Sequence, residues 1–233
     1  MSALPFDLQL LNLCAALLLL LSFAMLAQRR VVTMVNFLAV QGALLFGATL
    51  LLAWRTGQYH LYLSALLTLA LKVALLPWLL HRLIRRLNVY WDTEPLLNIS
   101  GTLLVGVLIV VFAFGLAQPI SALASTATRN SIGIAVAVVL LSFVTMITRR
   151  KAMSQVVGFL SMENGLFFGA MSATYGMPMV VELGVALDVL VAVLVLGIFF
   201  FQIREQFDSL DLHHLEALKE RPPAAGAPPG EAH

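Results

Sequence analysis

The sequence predicts an all-α integral membrane protein. Of its 233 residues, 61% are hydrophobic and only 11% are charged, and the mean hydropathy of +0.95 lies far above that of soluble domains. The apolar residues form continuous blocks, whereas the strands of a membrane barrel alternate apolar and polar residues over about ten positions. Helices are therefore the structure that satisfies the backbone in lipid.

About seven of these blocks are long enough to cross the hydrocarbon layer, which takes roughly 20 helical residues. The predicted spans are Phe6–Ala27, Val31–Trp54, Leu61–Leu83, Leu96–Ala117, Ser131–Thr148, Met153–Tyr175 and Met179–Gln202. No basic residue precedes the first block, so it does not resemble a signal peptide and is expected to stay in the protein. Cys14 is the single cysteine, which excludes an internal disulfide or a cysteine-ligated metal cluster built by this chain alone.

The basic residues predict the orientation in the membrane. They gather in alternate connections between the spans and in the tail, and the opposite side carries only Arg55 and Arg129. The clustered residues are Arg29, Arg30, Arg82, Arg85, Arg86, Arg149, Arg150, Lys151, Arg204, Lys219 and Arg221. The positive-inside rule then places the N-terminus outside the cytoplasm and the C-terminus inside it.

Two parts of the chain resemble each other. SFAMLAQRR (22–30) matches SFVTMITRR (142–150), and NFLAVQGALLFGA (36–48) matches GFLSMENGLFFGA (158–170). Because the copies start four spans apart, they predict a parallel repeat of three-helix units joined by a connecting helix. The predicted organisation is an N-terminal unit at 1–84, a cytoplasmic connection, fourth helix and outer loop at 85–130, a C-terminal unit at 131–203, and a cytoplasmic tail at 204–233 with a disordered end.

Small residues accompany the repeat. Gly165 and Gly169 are four positions apart, and Ala43 and Gly47 occupy the matching positions of the first copy. Such spacing lets helix backbones approach closely, which suits helix packing or the docking of a partner, and packing is the favoured interpretation.

Three ionisable residues are predicted near the middle of the membrane. At 1.5 Å per residue, Glu163 lies about 18 Å, Asp188 about 15 Å and Lys72 about 20 Å from the start of its span. A charged group at that depth costs about 2.5–3.5 kcal/mol, so pairing or neutralisation must relieve the cost. Burial favours the neutral forms, whereas contact between Lys72 and an acid favours the charged pair. The residues are therefore candidates for a proton path, and a static salt bridge that sets helix register is the alternative.

Further polar residues are weaker candidates for the same path. Asn164 adjoins Glu163, and Gln41 is the uncharged counterpart of Glu163 in the repeat, where an interhelical hydrogen-bond donor is the favoured role. Glu182 is close to the outer interface, and His81 is at the cytoplasmic end of the third span. Pro77 has no amide donor and is expected to leave carbonyl groups free near Lys72.

The segment RRKAMSQVVGFLSMENGLFFGA (149–170) resembles the second helix of the small three-helix K-type subunit of respiratory complex I. VELGVALDVLVAVLVLGIFF (181–200) looks like its third helix, with Asp188 where that family has a second glutamate. The family's first glutamate would fall near Leu160, one helical turn before Glu163. In length, span number and charge alternation, the whole chain resembles component E of the hydrogenase-4 group, a membrane subunit of complex-I-related nickel–iron hydrogenases.

The resemblance implies a non-catalytic subunit of a proton-translocating oxidoreductase in the bacterial inner membrane. Its expected partners are antiporter-like membrane subunits, other hydrogenase or complex-I-like subunits and membrane lipid, with no nucleic acid. The resemblance also implies that the chain itself holds no cofactor and that the nickel–iron centre and iron–sulfur clusters lie in partner subunits. A free-standing secondary ion transporter and a structural clamp between larger membrane subunits are the alternatives.

Overall fold

The computed structural model describes residues 6–57, 59–87, 99–121 and 126–174, and the isolated positions 184, 187, 189–191, 193 and 197. The elements of the continuous ranges are α1 (Phe6–Ala27), α2 (Val31–Thr56), α3 (Tyr59–Thr68), a π segment (Leu69–Leu75), α4 (Leu76–Leu87), α5 (Ile99–Ser121), α6 (Thr126–Thr148) and α7 (Ala152–Thr174). They all belong to one compact unit, residues 1–192. Only residues 193 and 197 are described in the second unit, residues 193–233.

Six helical stretches in the described part of the chain are long and apolar enough to cross a membrane. They correspond to the first six predicted spans, and α3, the π segment and α4 together form the third, Leu61–Arg86. The prediction of an all-α membrane protein is confirmed. The seventh predicted span, Met179–Gln202, and the tail at 204–233 lie outside the described residues, apart from the isolated positions.

The third span is not a uniform α-helix. Its middle, Leu69–Leu75, is a π segment, and the backbone N–H of Leu76 donates to the carbonyl of Leu71, five residues earlier. Pro77 follows directly and has no N–H to donate to the carbonyl of Val73, so the regular α-helical ladder is broken at this point. The π segment carries Lys72, whose side chain is thereby presented from an irregular part of the helix.

The helices pack around a core between α1, α2, α6 and α7. Close approach of α6 and α7 depends on glycine, because a Cβ atom on Gly165 would lie 2.8 Å from the Val138 side chain and one on Gly169 would lie 2.9 Å from the Ala135 Cβ. The predicted close packing at these two glycines is confirmed. Gly47 in the first copy differs, because no described atom lies within 4 Å of a Cβ built there.

Arg149 links the two predicted repeat units. It lies in the three-residue connection between α6 and α7, yet its side chain is only 3% exposed. Its guanidinium donates to the carbonyl oxygens of Leu26 at 3.0 Å and Gln28 at 2.5 Å, at the C-terminal end of α1. These carbonyls have no partner within the helix, and the negative end of the helix dipole attracts the positive charge.

Replacing Arg149 with methionine is expected to lower the free energy of unfolding by about 1.5–3 kcal/mol, because charge-assisted hydrogen bonds to buried carbonyls are lost. The matched control is Arg29→Met, which removes the corresponding arginine of the other double-Arg connection, where the side chain is exposed. Thermal unfolding of both variants in the same detergent makes the comparison. Equal melting temperatures for the two variants would contradict the capping role.

Candidate functional site

Four of the polar residues predicted within the membrane meet inside the helix bundle. Lys72 comes from the π segment, Glu163 and Asn164 come from α7, and Gln41 comes from α2. All four side chains are buried, with Lys72 and Glu163 each 3% exposed. The structure therefore brings together buried residues from three parts of the sequence.

Lys72 contacts two neighbouring residues of α7. Its Nζ lies 2.9 Å from the Asn164 Oδ1, to which it donates a hydrogen bond, and 3.4 Å from the Glu163 Oε1. The ammonium group also lies 5.1 Å from the centre of the Phe167 ring, where the electron-rich face attracts a cation. Lys72 is thus surrounded by an amide, a carboxylate and an aromatic ring.

A chain of hydrogen bonds continues from Asn164 toward α1. Asn164 Nδ2 donates to Gln41 Oε1 at 3.3 Å, and Gln41 Nε2 donates to the Ser22 Oγ at 2.8 Å. The Ser22 hydroxyl donates in turn to the carbonyl of Leu18 at 3.0 Å, within its own helix. The expected role of Gln41 as an interhelical hydrogen-bond donor is confirmed.

This chain of hydrogen bonds ends at a backbone carbonyl, and two of its members are amides. Side-chain amides do not readily take up or release protons near neutral pH, so the chain orients Lys72 and does not itself conduct protons. The Lys72–Asn164 distance is that of a good hydrogen bond, whereas 3.4 Å to Glu163 exceeds the 2.7–2.9 Å typical of a charge-assisted bond. Asn164 therefore makes the shorter of these two contacts with Lys72.

Gly42 allows the third span to approach α2 at this point. A Cβ atom on Gly42 would lie 3.0 Å from the Lys72 Cβ and 3.1 Å from both its carbonyl carbon and its oxygen. Two of these three atoms belong to the backbone, which cannot move aside as the end of a side chain can. A residue larger than glycine would push the π segment, and Lys72 with it, away from α2.

Among the remaining site candidates, His81 lies in the described part of the chain. His81 lies on α4, where its Nδ1 is 2.8 Å from the carbonyl of Pro77. Asp188 and Glu182 lie outside the described residues. Sequence reasoning missed Ser22 and Gly42 as members of the site, although Ser22 stands in the repeated SF…RR pattern. Its counterpart Ser142 bonds Ser161 at 2.8 Å, again nineteen residues along the chain.

Within the described residues, no group of three or more His, Cys, Asp or Glu side chains is placed to hold a metal ion. Lys72 and Glu163 form a buried ion pair inside the described bundle, and the Asn164 amide contacts Lys72 beside it.

The fold and the site define a multi-pass all-α membrane protein with a buried lysine–glutamate pair at the centre of its bundle. Comparison with curated proteins identifies "Uncharacterized protein Rv0085" of Mycobacterium tuberculosis as a relative, 36% identical over 212 residues that cover 91% of this chain and 96% of the relative. Hydrogenase-4 component E of Escherichia coli K12 is 27% identical over 175 residues, which cover 75% of this chain and 76% of the relative, and the protein of that name in Shigella flexneri matches equally well.

The chain belongs to the family that includes Rv0085, and its predicted resemblance to hydrogenase-4 component E is confirmed. No family model and no solved structure matches the chain.

Proposed function

We propose that the protein is a non-catalytic membrane-arm subunit of a proton-translocating hydrogenase or complex-I-like oxidoreductase, and that Lys72 and Glu163 take part in its proton path. The observation that carries the proposal is the buried Lys72–Glu163 contact beside Asn164. Ionisable residues inside a membrane mark ion pathways by default, because their burial is costly without a function. The similarity to hydrogenase-4 component E supports the assignment to a hydrogenase-like complex.

In the proposed mechanism, the charge of the pair changes while Lys72 stays in place. When the Glu163 carboxylate accepts a proton, the Lys72 ammonium loses its neutralising partner but keeps its hydrogen bond to Asn164. The proton then leaves the site, which restores the Lys72–Glu163 pair. Asp188, the other predicted acid of the path, is the proposed exchange partner on the next predicted span.

The partners and location follow from the same proposal. Antiporter-like membrane subunits and other hydrogenase or complex-I-like subunits would surround this chain in the bacterial inner membrane, with its N-terminus outside and its C-terminus in the cytoplasm. Nickel–iron and iron–sulfur centres in the partner subunits would supply the electron chemistry. This chain would contribute proton-handling groups and helix packing.

The test is Glu163→Gln, which keeps the shape of the side chain and removes its charge. We expect the variant to assemble with its partners but to lose most proton uptake by inverted membrane vesicles, measured with a ΔpH-sensitive dye alongside the rate of electron transfer. Asp188→Asn should give the same result. The control is Asp7→Asn, because Asp7 pairs with Arg55 at 2.6 Å at the ends of α1 and α2, away from the proposed path.

Two outcomes would overturn the proposal. Normal proton uptake in both Glu163→Gln and Asp188→Asn would remove the proton path and leave the structural clamp. Recovery of the protein from mild detergent only as a monomer or homo-oligomer that moves ions in liposomes would remove the subunit assignment and leave the secondary transporter.

A further inference from the structure

A basic face lies at the end of α4, away from the lysine–glutamate site. Trp78, the pair His81 and Arg82, and the pair Arg85 and Arg86 recur at helical spacing and line a cavity of about 330 Å³. The Arg82 guanidinium carbon lies 5.3 Å from the centre of the Trp78 ring, so the aromatic ring helps to place one of the arginines. We refer to these five residues as the basic face.

The basic face points away from the helix bundle. Trp78 is 56% exposed and the three arginine side chains are exposed, whereas Leu79, Leu80, Leu83 and Ile84 on the opposite side of α4 are buried in the core. One turn deeper in the membrane, Ala74 and Leu75 are also exposed. A continuous surface therefore runs from an apolar, lipid-facing part of the third span to a cluster of guanidinium groups at its end.

The chemistry of this surface fits a phospholipid. Each guanidinium presents a planar fork of N–H donors that matches the oxygens of a phosphate group, and none of the five residues is an acid. Tryptophan favours the depth of the lipid head groups. A lipid would place its phosphate among the arginines and its acyl chain along Leu75, whereas a water-soluble anion would leave that apolar surface unused.

We propose that the basic face of α4 binds the phosphate of an anionic phospholipid, with Arg82 and Arg85 as the principal ligands. Basic pockets at the positively charged side of membrane proteins recognise anionic head groups in this way. The site is independent of the proposed proton path, since it uses none of the residues around Lys72.

The test uses the full-length chain in mild detergent, titrated with phosphatidylglycerol or with phosphatidylcholine of the same acyl chains and followed by native mass spectrometry. We expect phosphatidylglycerol to bind more tightly by about tenfold, and Arg82→Gln with Arg85→Gln to weaken its binding by about thirtyfold. The matched control is Arg29→Gln with Arg30→Gln, which removes two exposed arginines from another connection and should change binding by less than about twofold.

A second double variant distinguishes loss of the lipid ligands from misfolding of the protein. Arg82→Lys with Arg85→Lys keeps both charges and should retain part of the phosphatidylglycerol binding, since only the planar forks are lost. Equal binding of the two lipids, or equal losses in the test and control variants, would overturn the proposal. Displacement of the lipid by an equal concentration of inorganic phosphate would overturn it in favour of a free anion.

Discussion

Replacing Lys72 with methionine is expected to abolish proton uptake and to lower the free energy of unfolding by about 3–5 kcal/mol, because Glu163 loses its buried positive partner. The Asn164 Oδ1 also loses the hydrogen bond that it accepts from the Lys72 Nζ at 2.9 Å. The chain of hydrogen bonds to Gln41 and Ser22 then starts at an oxygen without this donor. Thermal unfolding and vesicle proton uptake measure the two effects separately.

The double variant Lys72→Met with Glu163→Gln distinguishes a proton-path role from a static salt bridge. With both charges removed, no unpaired charge is left in the bundle, and most of the lost stability should return. Proton uptake should stay absent, because neither residue can then exchange a proton. If proton uptake returned together with stability, the pair would serve only to hold the helices in register.

Replacing Gly42 with alanine is expected to lower the free energy of unfolding by about 1–3 kcal/mol and to impair proton uptake. The added methyl group would meet the Cβ and backbone of Lys72 at 3.0–3.1 Å, inside ordinary contact distance, and would force the π segment away from α2. Lys72 would then be displaced from Asn164 and Glu163, although none of these residues is changed. Thermal unfolding and the same vesicle assay make the measurement.

Gly47→Ala is the control for Gly42→Ala. Gly47 lies on α2, as Gly42 does, and a Cβ atom on Gly47 would have no described atom within 4 Å. Its free energy of unfolding should stay unchanged or rise by up to about 1 kcal/mol, since alanine favours the helix more than glycine does. Equal behaviour of the two variants would mean that the close approach at Lys72 has no consequence.

The two predicted repeat units differ at the positions that build the site. Gln41 and Gly42 in α2 correspond to Glu163 and Asn164 in α7. In α2, Gln41 provides an amide and Gly42 leaves room for the backbone of Lys72. In α7, Glu163 and Asn164 provide the acid and the amide that contact Lys72. The double-Arg connections differ as well, because Arg149 is buried against α1 and Arg29 is exposed. The N-terminal unit therefore supplies the lysine and the space for it, and the C-terminal unit supplies the acid.

Sequence reasoning found Lys72, Glu163, Asn164 and Gln41 because polar groups stand out inside apolar helices, where their burial is costly. It assigned no partner to Lys72 beyond an acid, and the shorter contact turned out to be the amide of Asn164. It treated Ser22 only as a matching residue of the repeat. It treated Arg149 only as part of the double-Arg pattern used for the orientation, the repeat and the family resemblance. Ser22 of α1 accepts a hydrogen bond from Gln41 of α2, and Arg149 donates to carbonyl groups at the end of α1. No local pattern reports such contacts.

The sequence by itself determined the fold class, the first six membrane spans and the residues that carry charge within them. These depend on the length of apolar segments and on the cost of burying charge, and both are properties of single segments. Only the tertiary structure decided which residues meet. Lys72 and Glu163 are 91 residues apart in the chain. Their contact depends on the π segment that carries Lys72 and on Gly42, where a side chain would not fit. It also depends on the packing of α2, α7 and the third span.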